Sequence, residues 1–140
     1  MAEPVQPAAV PAKPSRAREF KEVLAELTRI DSVRGGLIVT PDGLVITSEL
    51  PARFPVEAVG ALAATLGREL ELGPERSEKG GFRTALFSSD DGTVFLGDSP
   101  VGFLVLLGDR NVNLAAVRLA MRKAVDRIQA TWKATAPGAA

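Results

Sequence analysis

Two short stretches hold the residues whose chemistry has to be decided first. Leu37 to Ser48, LIVTPDGLVITS, places one carboxylate, Asp42, between two aliphatic runs, and Leu86 to Ser99, LFSSDDGTVFLGDS, repeats the grammar with Asp90, Asp91 and Gly92. A carboxylate at such a tip could act as a general acid or base, but that work needs a second ionisable group at matched spacing, and Asp42 has none. Proline presets φ, aspartate accepts from backbone amides and glycine tolerates positive φ, so both stretches read as hairpin turns. Asp90, Asp91 and Asp98 could gather around a hard cation, yet they lack the alternation and distal glutamate of a calcium loop. Ser88, Ser89 and Ser99 are hydroxyls without an activating base, because the chain has no histidine and no well-placed lysine.

The exclusions extend beyond these stretches. With no cysteine there is no disulfide, thiolate nucleophile or sulfur-ligated metal, and with no histidine the usual neutral-pH base is gone. Neither a G-x-x-x-x-G-K-[ST] loop nor a G-x-G-x-x-G turn occurs. No catalytic residue, cofactor or metal site is expected, and a carboxylate pair assembled by folding is the one enzymatic route left open. Lys plus Arg number 17 and Asp plus Glu number 17, so no overall field draws in nucleic acid or anionic lipid, and neither is expected as a partner. No window supplies about 18 uninterrupted apolar residues. Pro4, Pro7, Pro11 and Pro14 interrupt the N-terminus where a signal peptide would be continuous, so a cytoplasmic location is expected.

The 140 residues, 46% hydrophobic, suit a single core. Residues 1–14 read as a disordered proline- and alanine-rich tail, 15–133 as the domain and 134–140 as a flexible end. From Ser15, a plausible N-cap, Phe20, Val23, Leu24, Leu27 and Ile30 recur at helical spacing. Gly35 and Gly36 break the chain before the strand LIVT and its hairpin partner LVITS. A helix follows from about Pro55 to Leu72, stopped by Gly73-Pro74. Three more strands come next, and the unalternating run Phe103 to Leu107 belongs at a sheet centre. Asn111 or Asn113 caps the last helix, whose stripe is Leu114, Val117, Met121, Val125, Ile128 and Trp132. Its Arg118, Arg122, Lys123 and Arg127 face outward, a solvated face being favoured over one that meets RNA or an acidic protein, since no aromatic side chains lie among the cations.

The middle helix has two faces. Val56, Val59, Leu62, Ala63, Leu66 and Leu70 can cover a sheet, while Ala58, Ala61, Thr65 and Leu72 point away from that stripe, flanked by Leu62 and Glu69. A helix covered on one side should be charged on the other, so a small, weakly polar second face implies packing on both. Alanine chosen for helix propensity is the plain alternative.

GGLIVTPDGLVITSELP, VEAVGALAATLGREL and above all GFLVLLGDRNVNLAAVRLAMRKAVDRI resemble the Roadblock family of dynein light-chain-like and GTPase-regulating proteins, over about Ser15 to Lys133. The most specific part is Gly108-Asp109, then Asn111 and Asn113, then a Leu-x-x-Val-x-x-x-Met helix. The resemblance implies an α+β, profilin-like sandwich, its five-stranded antiparallel sheet built in the order α-β-β-α-β-β-β-α, with the middle helix on one face and the terminal helices on the other. It also implies a homodimer joined by middle helices and third strands, with Ala58, Ala61, Leu62, Thr65, Glu69, Leu72, Arg83, Ala85 and Phe87 at the interface. An edge strand from Phe82 to Ser88 would have its free peptide groups satisfied in such a dimer. Bacterial members of the family resemble partners of small Ras-like GTPases in polarity and gliding motility. The function implied is a non-catalytic homodimeric adaptor that binds and regulates such a GTPase, by biasing its switch conformation or by lending Arg53 or Arg68. A light-chain-like scaffold for a non-GTPase partner and a small-molecule sensor share the same fold and remain alternatives.

Overall fold

Phe20, Val23, Leu24 and Leu27 fall on one stripe of α1, Ala12–Thr28, and all four are buried. The computed structural model describes residues 12–77 and 83–135, with side chains from 17 to 71 and from 83 to 133. Residues 1–11, Phe82 and residues 136–140 lie outside the described residues. The helix starts about one turn ahead of Ser15, which is therefore helical rather than a cap. Pro14 is tolerated there because amides of a first turn have no intrahelical acceptor to lose.

The remaining elements are β1 (Val33–Val39), β2 (Val45–Glu49), α2 (Val56–Ser77), β3 (Thr84–Ser89), β4 (Gly92–Ser99), β5 (Gly102–Gly108) and α3 (Leu114–Thr135). The five strands form one antiparallel sheet in the order β2-β1-β5-β4-β3. The expected α+β sandwich is therefore present, and β5, whose residues are nearly all buried, occupies the centre. Strands β2 and β3 are the edges.

Alternation along the strands divides the core in two. Ile38, Phe95, Leu104 and Leu106 pack with α1 and α3, whereas Leu37, Val39, Leu96, Phe103 and Val105 pack with α2. Asn113 caps α3, its Oδ1 accepting from the Ala116 amide at 3.0 Å, and Asn111 instead sends its own amide to Asp109. Val117, Met121 and Ile128 point into the core as expected, but Leu114, in the first turn, is exposed. Arg127 departs from the outward basic row: it bridges α3 to α1 through Glu19 and Glu26, each at 2.7 Å.

Two further boundaries differ from the sequence reading. Strand β1 begins at Val33 and runs through Gly35 and Gly36, where a side chain would strike the Glu49 and Val105 carbonyl oxygens, so these glycines are part of the sheet. Helix α2 continues past Gly73-Pro74 to Ser77. Proline forfeits one hydrogen bond but its φ is helical, and the residue before it lacks the Cβ that usually clashes with the ring.

Candidate self-association and partner surface

The hairpin turn at Asp42 is structural. The Gly43 amide donates to the Thr40 carbonyl at 2.9 Å, Gly43 takes a φ of 96°, and the Thr40 hydroxyl donates to the Asp42 carboxylate. That hydrogen bond holds Asp42 below its ordinary carboxylate value. Arg68 donates to the Pro41 carbonyl, so its guanidinium is tied to the same turn. Arg53 is exposed, its guanidinium 5.0 Å from the centre of the neighbouring Phe54 ring.

The three aspartates considered as ligands are not brought together. Asp90 and Asp91 form the β3–β4 turn, and Asp98 stands at the other end of β4. There it meets the Glu71 carboxylate of α2, and burial followed by that neighbouring charge raises Asp98 from 3.8 to about 6. Among the described residues no three His, Cys, Asp or Glu side chains gather as metal ligands. Ser88 and Thr93 share a hydroxyl hydrogen bond at 3.0 Å that contains no base. Asp98 and Glu71 are the carboxylate pair that sequence spacing left open.

Helix α2 sits closer to the sheet than its leucine stripe implies. Its inward line is Gly60, Ala63, Ala64 and Gly67, all buried. A Cβ at Gly67 would lie 2.4 Å from the Phe103 ring, and one at Gly60 would lie 2.8 Å from Val45. Because these glycines let the backbone descend, the helix is rotated so that Leu62, expected in the sheet-covering stripe, is 62% exposed. Small residues at positions 60, 64 and 67 were the available signal.

The outer side carries the residues expected at a dimer seam. Ala58, Ala61, Leu62, Thr65 and Glu69 are all exposed on α2, while Leu72 lies outside the described side chains. The Thr65 hydroxyl is already spent on the Ala61 carbonyl at 2.9 Å, which leaves its methyl group as the part offered outward. Arg83, just before edge strand β3, is exposed; on the strand Ala85 packs on the α2 side of the sheet and Phe87 is 40% exposed. The outer face of α2 and the edge of β3 thus both expose apolar surface on the same side of the sheet. No described helix is long and apolar enough to cross a membrane.

Comparison with known proteins places this architecture. The sequence profile of the Roadblock/LC7 domain matches residues 19–107. The chain belongs to the Roadblock/LC7 family. A curated relative, the uncharacterized protein MJ0714 of Methanocaldococcus jannaschii, is 37% identical over 110 residues, 79% of this chain and 93% of that protein. Among solved structures, Myxococcus xanthus MglB superposes with a TM-score of 0.79 at 16% identity, covering 94% of this chain and 96% of that one. The gliding protein MglB of Thermus thermophilus gives 0.73 at 17%, covering 91% and 93%. At such identities the two MglB structures establish the profilin-like fold of this Roadblock/LC7 domain. The sequence relative is archaeal.

Proposed function

We propose that this Roadblock/LC7 protein is a homodimeric, non-catalytic adaptor that binds and regulates a small Ras-like GTPase. The observation that carries this reading is the unfinished α2 side of the molecule: Ala58, Ala61, Leu62 and Thr65 are exposed on α2, and on the same side of the sheet Phe87 is exposed on the open edge strand β3. A second copy would cover that apolar surface and satisfy the edge of β3. A standard interface of about 800 Å² per partner is within reach of one helix face and one strand. The dimer would then present paired α2 helices as a platform, and the likeness to MglB of gliding bacteria supports a GTPase as the protein that docks there.

Regulation on this reading is conformational. The adaptor binds one nucleotide state of the GTPase more tightly and shifts its switch loops by that difference. Of the two arginines considered as direct contacts, Arg68 is tied to the Pro41 carbonyl, which leaves Arg53 as the exposed guanidinium at the N-terminal approach to α2. The protein acts in the cytoplasm without a cofactor.

Ala61→Glu tests the dimer, because an unpaired carboxylate in a dry seam is costly. Multi-angle light scattering should show wild-type protein at twice the chain mass and the variant at the chain mass; unchanged mass in the variant would mean that the seam lies elsewhere. Small GTPases encoded beside the gene, loaded with GDP or a GTP analogue, supply the second test. Nucleotide-dependent binding is expected, and absence of both binding and altered hydrolysis across them would overturn the GTPase assignment.

A further inference from the structure

The open edge of β3 has a definite polarity. The Asp98 amide donates to the Arg83 carbonyl at 3.1 Å, and Ser89 pairs with Gly92 across the turn. Antiparallel pairs alternate between bonded and non-bonded, so residues 83, 85, 87 and 89 direct their peptide groups to β4. Those of Thr84, Leu86 and Ser88 face the open edge. Side chains alternate in the same rhythm: Ala85 packs on the α2 side of the sheet and Leu86 on the α1/α3 side.

These two facts restrict how two copies can join. A twofold axis perpendicular to the sheet keeps the α2 side of each copy on the same side, so odd-numbered residues must face odd ones and even must face even. The two central registers place either Leu86 or Phe87 on the axis.

Charge distinguishes them. At the start of β3 a cleft of about 630 Å³ is lined by Arg83, Thr84, Arg118 and Arg122, and no carboxylate lies within 4.0 Å of these three guanidiniums among the described residues. Arg118 and Arg122 are one helical turn apart and repel one another. Asp98 and Asp126 also line the cleft but leave it net positive. At the far end of β3, Asp90 and Asp91 are exposed and form no ion pair among the described residues. With Phe87 on the axis, the partner's Asp90-Asp91 turn comes level with Arg83 and Thr84, at the end of the strand where Arg118 and Arg122 line the cleft. With Leu86 on the axis, Arg83 faces the partner's Ser89 and the acidic turn overshoots.

We propose that the arginine cleft is a composite site completed by the Asp90-Asp91 turn of a second copy, with Phe87 on the twofold axis. The inference rests on the homodimer reading above and adds to it a register and an ionic clasp at each end of the joined strands. Phe87 also meets its mate at a non-bonded pair, where antiparallel side chains approach most closely, which covers the exposed aromatic ring.

The chain has no cysteine, so single-cysteine variants of the full protein report the axis directly. Under mild oxidation Phe87→Cys should give a covalent dimer at least about tenfold faster than Leu86→Cys, since only the axial pair meets disulfide geometry. Faster linkage of Leu86→Cys would overturn the register. Failure of both, while Ala61→Glu still converts dimer to monomer, would show that the dimer does not use β3; failure of both in a protein that is monomeric throughout would remove the dimer itself. The clasp is read separately: Arg83→Glu should weaken dimerisation by about tenfold at low salt, and adding Asp91→Arg should restore it. A double variant no tighter than the single one would overturn the clasp.

Discussion

The two faces of the sheet are finished differently. Against α1 and α3, large side chains close the core: Phe20, Leu24, Phe95, Leu104, Met121 and Ile128 are all buried, and Arg127 ties the two helices through Glu19 and Glu26. Against α2 the closest approach is made by small residues, with Gly67 lying on the Phe103 ring and Val59, Leu66 and Leu70 packing beside them, and Ala58, Ala61 and Leu62 remain exposed on the outward side of the helix. One face satisfies itself within the chain, whereas the other is built as if something further were to cover it. Besides the number of helices, the size of the inward residues separates the two faces.

The largest expected effect breaks the self-contained face. Phe95→Ala removes a fully buried ring from the α1/α3 core and should cost about 3–5 kcal/mol in urea unfolding, while the α2 residues of the proposed dimer seam, on the opposite side of the sheet, are untouched. Loss of self-association at concentrations where the variant remains folded would show that the two faces are not independent.

Gly67→Ala sharpens the comparison on the α2 side. Helix propensity alone favours alanine by about 1 kcal/mol. The added Cβ would sit 2.4 Å from a ring atom of buried Phe103, and displacing that ring should cost more, for a net loss of about 1–2 kcal/mol. A stabilised variant would mean that the close approach of helix to sheet is not what sets the rotation of α2.

Asp98→Asn gives the smallest shift, and it depends on pH. The carboxyl of Asp98 is raised from 3.8 to about 6, so the folded state holds its proton more tightly than the unfolded chain. Its contribution to stability is complete below 3.8 and is lost as pH rises through about 6. The amide keeps the neutral form at every pH. The variant should therefore match wild type near pH 4 and exceed it above pH 7 by at most about 1 kcal/mol, a figure reduced for solvent access to the site. A stability difference between the two proteins that does not change across that range would show that the folded protein does not raise the Asp98 carboxyl.

Much of the architecture was legible because periodicity is a local property. Val23, Leu24 and Leu27 mark the inward stripe of α1, the unalternating run from Phe103 to Leu107 marks the sheet centre, and Asp42-Gly43 and Asp91-Gly92 mark the turns. The outward alanines of α2 were legible for the same reason, since 100° per residue separates them from the inward stripe. Leu62 and Arg127 were misjudged. Leu62 belongs to an apolar stripe by spacing, but the helix turns on the absence of side chains at Gly60 and Gly67, a signal that a count of hydrophobic residues ignores. Arg127 reads as a solvated cation because Glu19 and Glu26 are distant in the chain, and only the packing of α1 beside α3 brings them together.

By itself, then, the order of residues determined the number and sequence of elements, the hairpin turns, the identity of the central strand and the absence of histidine and cysteine chemistry. These follow from backbone sterics, burial and composition, each readable over a few neighbouring residues. Tertiary packing decided how deeply α2 lies, which arginines are tied down and which stay open, that β3 ends the sheet, and that Asp98 meets Glu71. Such outcomes depend on distances between segments remote in the chain, and those distances exist only once the sheet has formed.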